Sequence, residues 1–305
     1  LDFLPDSGYI DSLSSLFFNP PTEEKAVSRI FRLSELQELQ IPKIGDFPQF
    51  VVSLRETIGR ASCVVAALVY GPVLRGDWTI RSTVSVLIVR RIDGKRETHE
   101  LVATLAEMAS RRHIPLRVTV FDIDSALNGR HNLGPMTLDY VGLAIKSGGI
   151  IKAEPISYFK PLQKTFREEL EHYLMMKGES FQLAARQYDE MSETERVVVL
   201  GRALEFPFGV ASRMLHYAKP FAWQSVGAMR GPVVTLYPSL VSERVQEIFG
   251  TLLQLDATYD GFLGVHREHP SQNYVASLDV LRVAIKLAHE LAEMNFALLD
   301  TLEQG

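Results

Sequence analysis

Residues 70 to 89 read Tyr-Gly-Pro-Val-Leu-Arg-Gly-Asp-Trp-Thr-Ile-Arg-Ser-Thr-Val-Ser-Val-Leu-Ile-Val. The run leading in, from Ser62 to Tyr70, is almost wholly apolar. That composition suits a central strand covered on both faces. The run leading out, Thr83 to Arg90, alternates Val84, Val86 and Ile88 against Thr83, Ser85, Leu87 and Val89, which predicts a second strand. Between them, Gly71-Pro72 opens a turn and Arg75-Gly76-Asp77 reads as a polar turn joining the two strands.

Working outward, strands and helices alternate. Pro48 suits a first helical turn, followed by Phe50, Val51, Leu54 and Ile58 at helical spacing. Glu97 to Arg112 predicts an amphipathic helix, and Leu116 to Phe121 a third strand. Met136 to Ser147 predicts a helix stopped by Gly148 and Gly149, with a short strand at Ile150 to Ala153. Alternation of this kind points to an α/β (α+β) layer domain with a mixed sheet and flanking helices. After Pro155 helices take over, which predicts a C-terminal helical bundle. The expected organisation is therefore residues 1–47 as an N-terminal extension with a short helical candidate at Glu23 to Leu39, 48–155 as the α/β domain, and 156–305 as the helical domain. Within the last, Ser192-Glu-Thr-Glu195 is a capping-box signature, for a helix that Pro207 is expected to end. Tyr274 to Glu303 predicts a long helix. One stripe runs through Leu278, Leu281, Ile285, Ala288, Ala292, Leu299 and Leu302, and a second through Val280, Ala284, Leu287, Leu291, Met294 and Leu298. So wide an apolar arc belongs in a bundle core or at a dimer seam.

The stretch 70–89 resembles the active-site strand–turn–strand of the polymerase-beta-type nucleotidyltransferases. Small members of that superfamily carry Gly-Ser-x-x-Arg-Gly-x(5)-Ser-Asp-x-Asp. Gly71 matches the first glycine and Pro72 replaces the serine. Arg75, Gly76 and Asp77 match the Arg-Gly-Asp/Glu turn, and Ser82 matches the serine before the first aspartate. Thr83 and Ser85 then occupy the two aspartate positions. The resemblance covers about residues 50 to 155 and implies a nucleotidyltransferase-like fold, with Gly71, Pro72, Arg75, Gly76, Asp77 and Ser82 as nucleotide-binding positions. The third carboxylate of the superfamily would fall in Leu116-Arg-Val-Thr-Val120, where Arg117 and Thr119 stand.

These departures bear on chemistry. Two-metal phosphoryl transfer needs two cations about 4 Å apart, and magnesium takes hard, usually anionic, oxygen ligands. Carboxylates at i and i+2 of a strand share one face and can share both ions. Thr83, Ser85 and Thr119 offer neutral hydroxyls instead, and Pro72 has neither the backbone N–H nor the hydroxyl of serine. The implied reading is a nucleotide- or partner-binding, regulatory pseudoenzyme with no cofactor. The alternatives are an active enzyme moving a nucleotide to a small molecule, protein or RNA with magnesium, and a structural assembly subunit. Asp122 and Asp124, two apart at a strand end, are the candidate displaced metal ligands; the plainer reading is an Asp-rich strand exit into a turn.

Composition narrows the partners. The chain has 305 residues, 46% hydrophobic and 23% charged, with a net charge of −5. An acidic balance argues against a nucleic-acid binder that works by bulk electrostatics. The single cysteine, Cys63, lies in the apolar run and reads as a small buried hydrophobe; no intramolecular disulfide can form, which fits a cytoplasmic protein. No signal peptide is apparent and no apolar run reaches the ~18 residues of a bilayer span. The expected partners are a nucleotide, and a protein or second copy meeting the C-terminal helix.

Other motifs weigh less. Arg282 and His289 formally match the Arg-x(4–6)-His of HEPN-type RNases, but read as an ordinary surface arginine and a packed or exposed histidine. His266-Arg-Glu-His269 has metal-like spacing, yet Gly261, Gly264 and Pro270 predict a loop. Tyr217, Phe221 and Trp223 around Lys219-Pro220 are aromatics of the kind that stack on bases, though core packing is the plainer reading.

Overall fold

The computed structural model describes residues 30–32, 41–226, 229–268 and 275–302. The chain forms two compact units. One comprises Gln40–Glu169 with Phe221–Arg230, and the other includes Leu170–Pro220 and Gly231–Gly305. We call them the sheet unit and the helical unit. The architecture is mixed α/β: a four-stranded mixed sheet with flanking helices, and a helical C-terminal half.

In chain order, the first strand is β1 (Ile30–Arg32), which pairs antiparallel with a later strand of the helical unit. The sheet unit then runs α1 (Asp46–Arg60), β2 (Val64–Tyr70), α2 (Pro72–Arg75), β3 (Val84–Arg90), α3 (Lys95–Ser110), β4 (Leu116–Asp122), α4 (Ile123–Leu127), α5 (Pro135–Lys146) and β5 (Ile150–Lys152). The sheet order is β4-β3-β2-β5. The β2–β3 and β2–β5 pairs are antiparallel and β3–β4 is parallel, as expected where a helix crosses between consecutive strands.

The apolar runs of β2 and β3 are explained by cover on both faces. Val84, Val86 and Ile88 pack with Phe50 and Leu54 of α1 and Leu101 and Leu105 of α3. Leu87 and Val89 face the other way, onto Val141 and Ala144 of α5 with Ala126 and Phe159. In β2 a register shift between Val64 and Ala66 re-aims the strand, so Ala66 and Leu68 join the α5 face and Ala67 and Val69 the α1 face. Glu169 caps α5 from a distance, accepting from the Met136 N–H at 2.8 Å and the Thr137 N–H at 3.2 Å.

The remaining helices are α6 (Phe166–Gln187), α7 (Glu193–Ala218), α8 (Pro220–Val226), α9 (Arg230–Leu236), α10 (Glu243–Glu268) and α11 (Leu278–Leu298), with β6 (Val275–Ser277) before the last. The capping box at Ser192 forms, with Ser192 and Glu195 exchanging bonds. In α11, Ile285, Ala288 and Ala292 of one expected stripe are buried (as is Leu299, just beyond the helix), and so are Ala284 and Leu291 of the other. Between them Asn295 is fully buried; its side chain accepts from the Tyr237 hydroxyl at 2.6 Å and donates to the Leu291 carbonyl at 2.7 Å. Burial pushes the Tyr237 phenol well above its ordinary value.

Four sequence expectations are corrected. Pro207 does not end its helix but sits inside α7. A helix-interior proline costs about 3 kcal/mol, whereas Leu204, Phe206, Val210 and Met214 around it are all buried, at roughly 1.5–3 kcal/mol each; packing wins. The Gly261 and Gly264 region is helical through Glu268, since a helical glycine costs only about 1 kcal/mol; His266 is therefore on a helix, and His269 and Pro270 lie outside the described residues. Residues 30–32 of the N-terminal helical candidate form strand β1, the rest of that candidate lying outside the described residues. Finally, Val275–Ser277 is a strand, so the last helix begins at Leu278. Tyr217 and Trp223 are buried while Phe221 is exposed, so the first two present no open face for stacking.

Candidate functional site

The Gly71 turn closes β2. Gly71 has φ 98°, a conformation that favours glycine, and a Cβ there would lie 3.7 Å from the Thr83 carbonyl oxygen. Thr83 thus stands against the glycine-led turn. The Leu74 and Arg75 N–H groups are donated to the Gly71 carbonyl and Pro72 has none. Little of this single helical turn is left to receive a phosphate by backbone donors.

Arg75, Gly76 and Asp77 form a braced corner. Gly76 is left-handed at φ 88°. The Arg75 guanidinium pairs with the Asp77 carboxylate at 3.2 Å and donates to the Tyr140 hydroxyl at 2.6 Å. The Asp77 carboxylate also accepts from the Arg230 backbone N–H at 2.7 Å, a contact 153 residues apart in the chain. Ser82 is likewise committed, its hydroxyl accepting the Thr79 N–H at 2.8 Å.

The sheet register sets out the positions next to this corner. Tyr70 pairs with Ser85, and Ser85 with Arg117. Leu68 pairs with Leu87, and Leu87 with Thr119. Residues directly paired across strands share a face. Tyr70, Ser85 and Arg117 therefore form one row across three strands, with Thr119 in the next row, on the face toward α5. The Tyr70 ring packs edge-on against Tyr140 at 6.4 Å. Burial pushes its phenol above the ordinary value, opposed first by the Arg117 charge and then by the Thr119 and Ser85 hydroxyls beside it. Ser85 is buried; Arg117 is exposed and forms no ion pair among the described residues.

This residue set does not fit magnesium. Thr83, Ser85 and Thr119 are neutral, the Asp77 carboxylate is held by Arg75, and Arg117 adds a positive charge, whereas magnesium takes hard, usually anionic, oxygen ligands. Among the described residues no group of three His, Cys, Asp or Glu side chains could hold a metal ion.

Asp122 and Asp124 lie at the other end of β4 from this row and are engaged locally. Asp122 ends β4 while Asp124 lies in α4, so the same-face rule for i and i+2 of a strand does not apply. Asp122 caps α4, accepting the Ser125 N–H at 2.7 Å and hydroxyl at 2.9 Å, and meets Arg90 at 3.7 Å. The Ser125 backbone N–H holds its carboxyl below the usual value. Asp124 pairs with Arg130 and accepts from the Asn128 amide at 2.8 Å. Asp122 is in register with Arg90, five residues along β3 from Ser85, or about 16 Å at the usual strand rise.

A cavity of about 210 Å³ adjoins the corner, lined by Gly71, Arg75, Tyr140, Lys146, Ser147 and Met229 among others. It is smaller than the ~300 Å³ at which sites for drug-sized ligands begin. Of this lining, sequence reasoning named Gly71 and Arg75 and missed Tyr140, Lys146 and Met229; it missed Tyr70 as well. The signal available for Tyr70 was a polar tip at the end of an otherwise apolar strand; for Met229 there was none. In comparisons with known proteins, no family model matches the chain and no curated protein is similar to it. No described helix is long and apolar enough to cross a membrane.

Proposed function

We propose that the sheet unit is a nucleotidyltransferase-like domain that has given up metal-dependent catalysis and works by binding, as a regulatory or partner-holding pseudoenzyme. One observation carries this reading. The positions that correspond to the superfamily's three carboxylates, Thr83, Ser85 and the Arg117/Thr119 pair, gather beside the Gly71 turn, and none is an acid. Phosphoryl transfer of this type depends on charge stabilisation by the bound metals. A set of hydroxyls with one guanidinium offers no anionic ligand for them. The committed Arg75–Asp77 pair supports the same reading, because it serves to hold the corner rather than a ligand.

The test is turnover. The full chain, incubated with each of the four nucleoside triphosphates and magnesium or manganese, is expected to release no pyrophosphate above the protein-free rate. Metal-dependent pyrophosphate release, abolished by chelation, overturns the proposal.

A further inference from the structure

We propose that the Tyr70–Ser85–Arg117 row and the neighbouring Thr83 and Thr119 form a phosphate-binding site that operates without a metal ion, Arg117 supplying the positive charge. The site deepens the preceding proposal and rests on its matching of this sheet edge to the nucleotidyltransferase pattern.

Three features of the row converge. Its charge is inverted: the equivalent positions of the superfamily carry anions that collect cations, whereas these carry one cation and no anion. A guanidinium with hydroxyls alongside is the donor set that phosphate oxygens accept from, and the guanidinium fork matches phosphate geometry in two parallel bonds. Arg117 is also available. It is exposed and without an ion pair among the described residues, in contrast to Arg75, which is held by Asp77 and Tyr140. The donors, finally, are positioned by the sheet rather than by loops. Ser85 and Arg117 are register partners on parallel strands, and Tyr70 and Ser85 on antiparallel ones, so their separation is fixed by strand spacing at about 5 Å. Tyr70 packs against Tyr140, whose hydroxyl accepts from Arg75, so the corner also braces one end of the row.

The ligand class is a phosphate ester or anhydride. Inorganic pyrophosphate and the polyphosphate of a nucleotide share this chemistry, and the arms of the experiment separate them. Isothermal titration calorimetry of the full chain in EDTA at low salt would use pyrophosphate, ATP and adenosine. Expected are binding of pyrophosphate and ATP, none of adenosine, and no gain on replacing EDTA with magnesium. Tighter binding of ATP than of pyrophosphate marks a nucleotide as the source; equal binding marks the phosphates alone. Arg117→Gln is expected to weaken binding about tenfold or more, Arg117→Lys to restore part of it, and Thr119→Asp, which sets a carboxylate on the same face as the guanidinium, to abolish it. Circular dichroism of each variant checks the fold. Failure of both pyrophosphate and ATP to bind, binding that requires magnesium, or an Arg117→Gln variant that binds as tightly as the original overturns this site. The two proposals fail separately: absence of binding together with absence of turnover removes the phosphate site and leaves the non-catalytic reading intact, whereas pyrophosphate release with metal removes that reading.

Discussion

The two ends of the four-stranded sheet hold opposite kinds of chemistry. At the end marked by Gly71, polar side chains sit in a row without acids, and Arg117 has no carboxylate partner among the described residues. At the end marked by Arg90, two aspartates are present and both are engaged, Asp122 in capping α4 and meeting Arg90, Asp124 in pairing with Arg130. The difference teaches that counting acids in a strand does not locate a metal site. What matters is which end they occupy and whether structure already uses their lone pairs. The acids of this sheet are consumed by helix capping and ion pairing, and its open polar end is the one without them.

The contrast is broken most severely by distorting the Gly71 end itself. Gly149 passes so close to β2 that a Cβ would lie 2.4 Å from the Val69 carbonyl oxygen and 2.7 Å from that of Ala144. Gly149→Ala must shift backbone, and is expected to cost about 3 kcal/mol, at the upper end of overpacking. Urea denaturation checks it; a loss under 1 kcal/mol would mean this edge is loosely built.

A smaller effect sharpens the comparison. Asp122→Ala removes a helix cap and is expected to cost about 1–2 kcal/mol, while Arg117→Gln, away from any such feature, should change stability by no more than about 0.5 kcal/mol. The pH dependence follows in sign. The folded-state value of Asp122 is lowered, so its contribution is present above the ordinary carboxylate value and is lost as pH falls through the lowered one. The variant should therefore lose less stability than the original between about pH 4 and 2. Equal losses for the two variants at neutral pH would erase the distinction between the ends.

The smallest effect concerns Tyr70. Its phenol value is raised by burial, so the stability it contributes is whole below the ordinary value of 10.0 and declines as pH rises through the raised one. Tyr70→Phe should flatten the fall in melting temperature from about pH 9 to 11. An unchanged alkaline slope would mean the phenol is not confined by its neighbours.

Much of the sheet unit was legible in the sequence. The strands of β2, β3 and β4, the helices of α1, α3 and α5 and the glycine stop after α5 all fall within a few residues of where periodicity puts them, because each buries a face whose pattern is local. Thr83 beside Gly71 was legible from motif spacing. Asp122 and Asp124 fit the plainer reading of a strand exit, Asp122 ending β4 and capping α4. Pro207 and the Gly261–Gly264 region were misread, because local propensity was outweighed by packing that no local window displays. The brace from Arg230 to Asp77 depends on residues far apart in the chain and leaves no trace in the sequence.

Placing Arg117 as the register neighbour of Ser85 has a bearing on what substitution can achieve. An aspartate placed at residue 85 would meet a guanidinium on the adjoining strand and form a salt bridge with it, spending the charge it would otherwise lend to a cation. A metal centre could not arise here by single steps, because the first acid gained would be neutralised until the arginine opposite was exchanged as well.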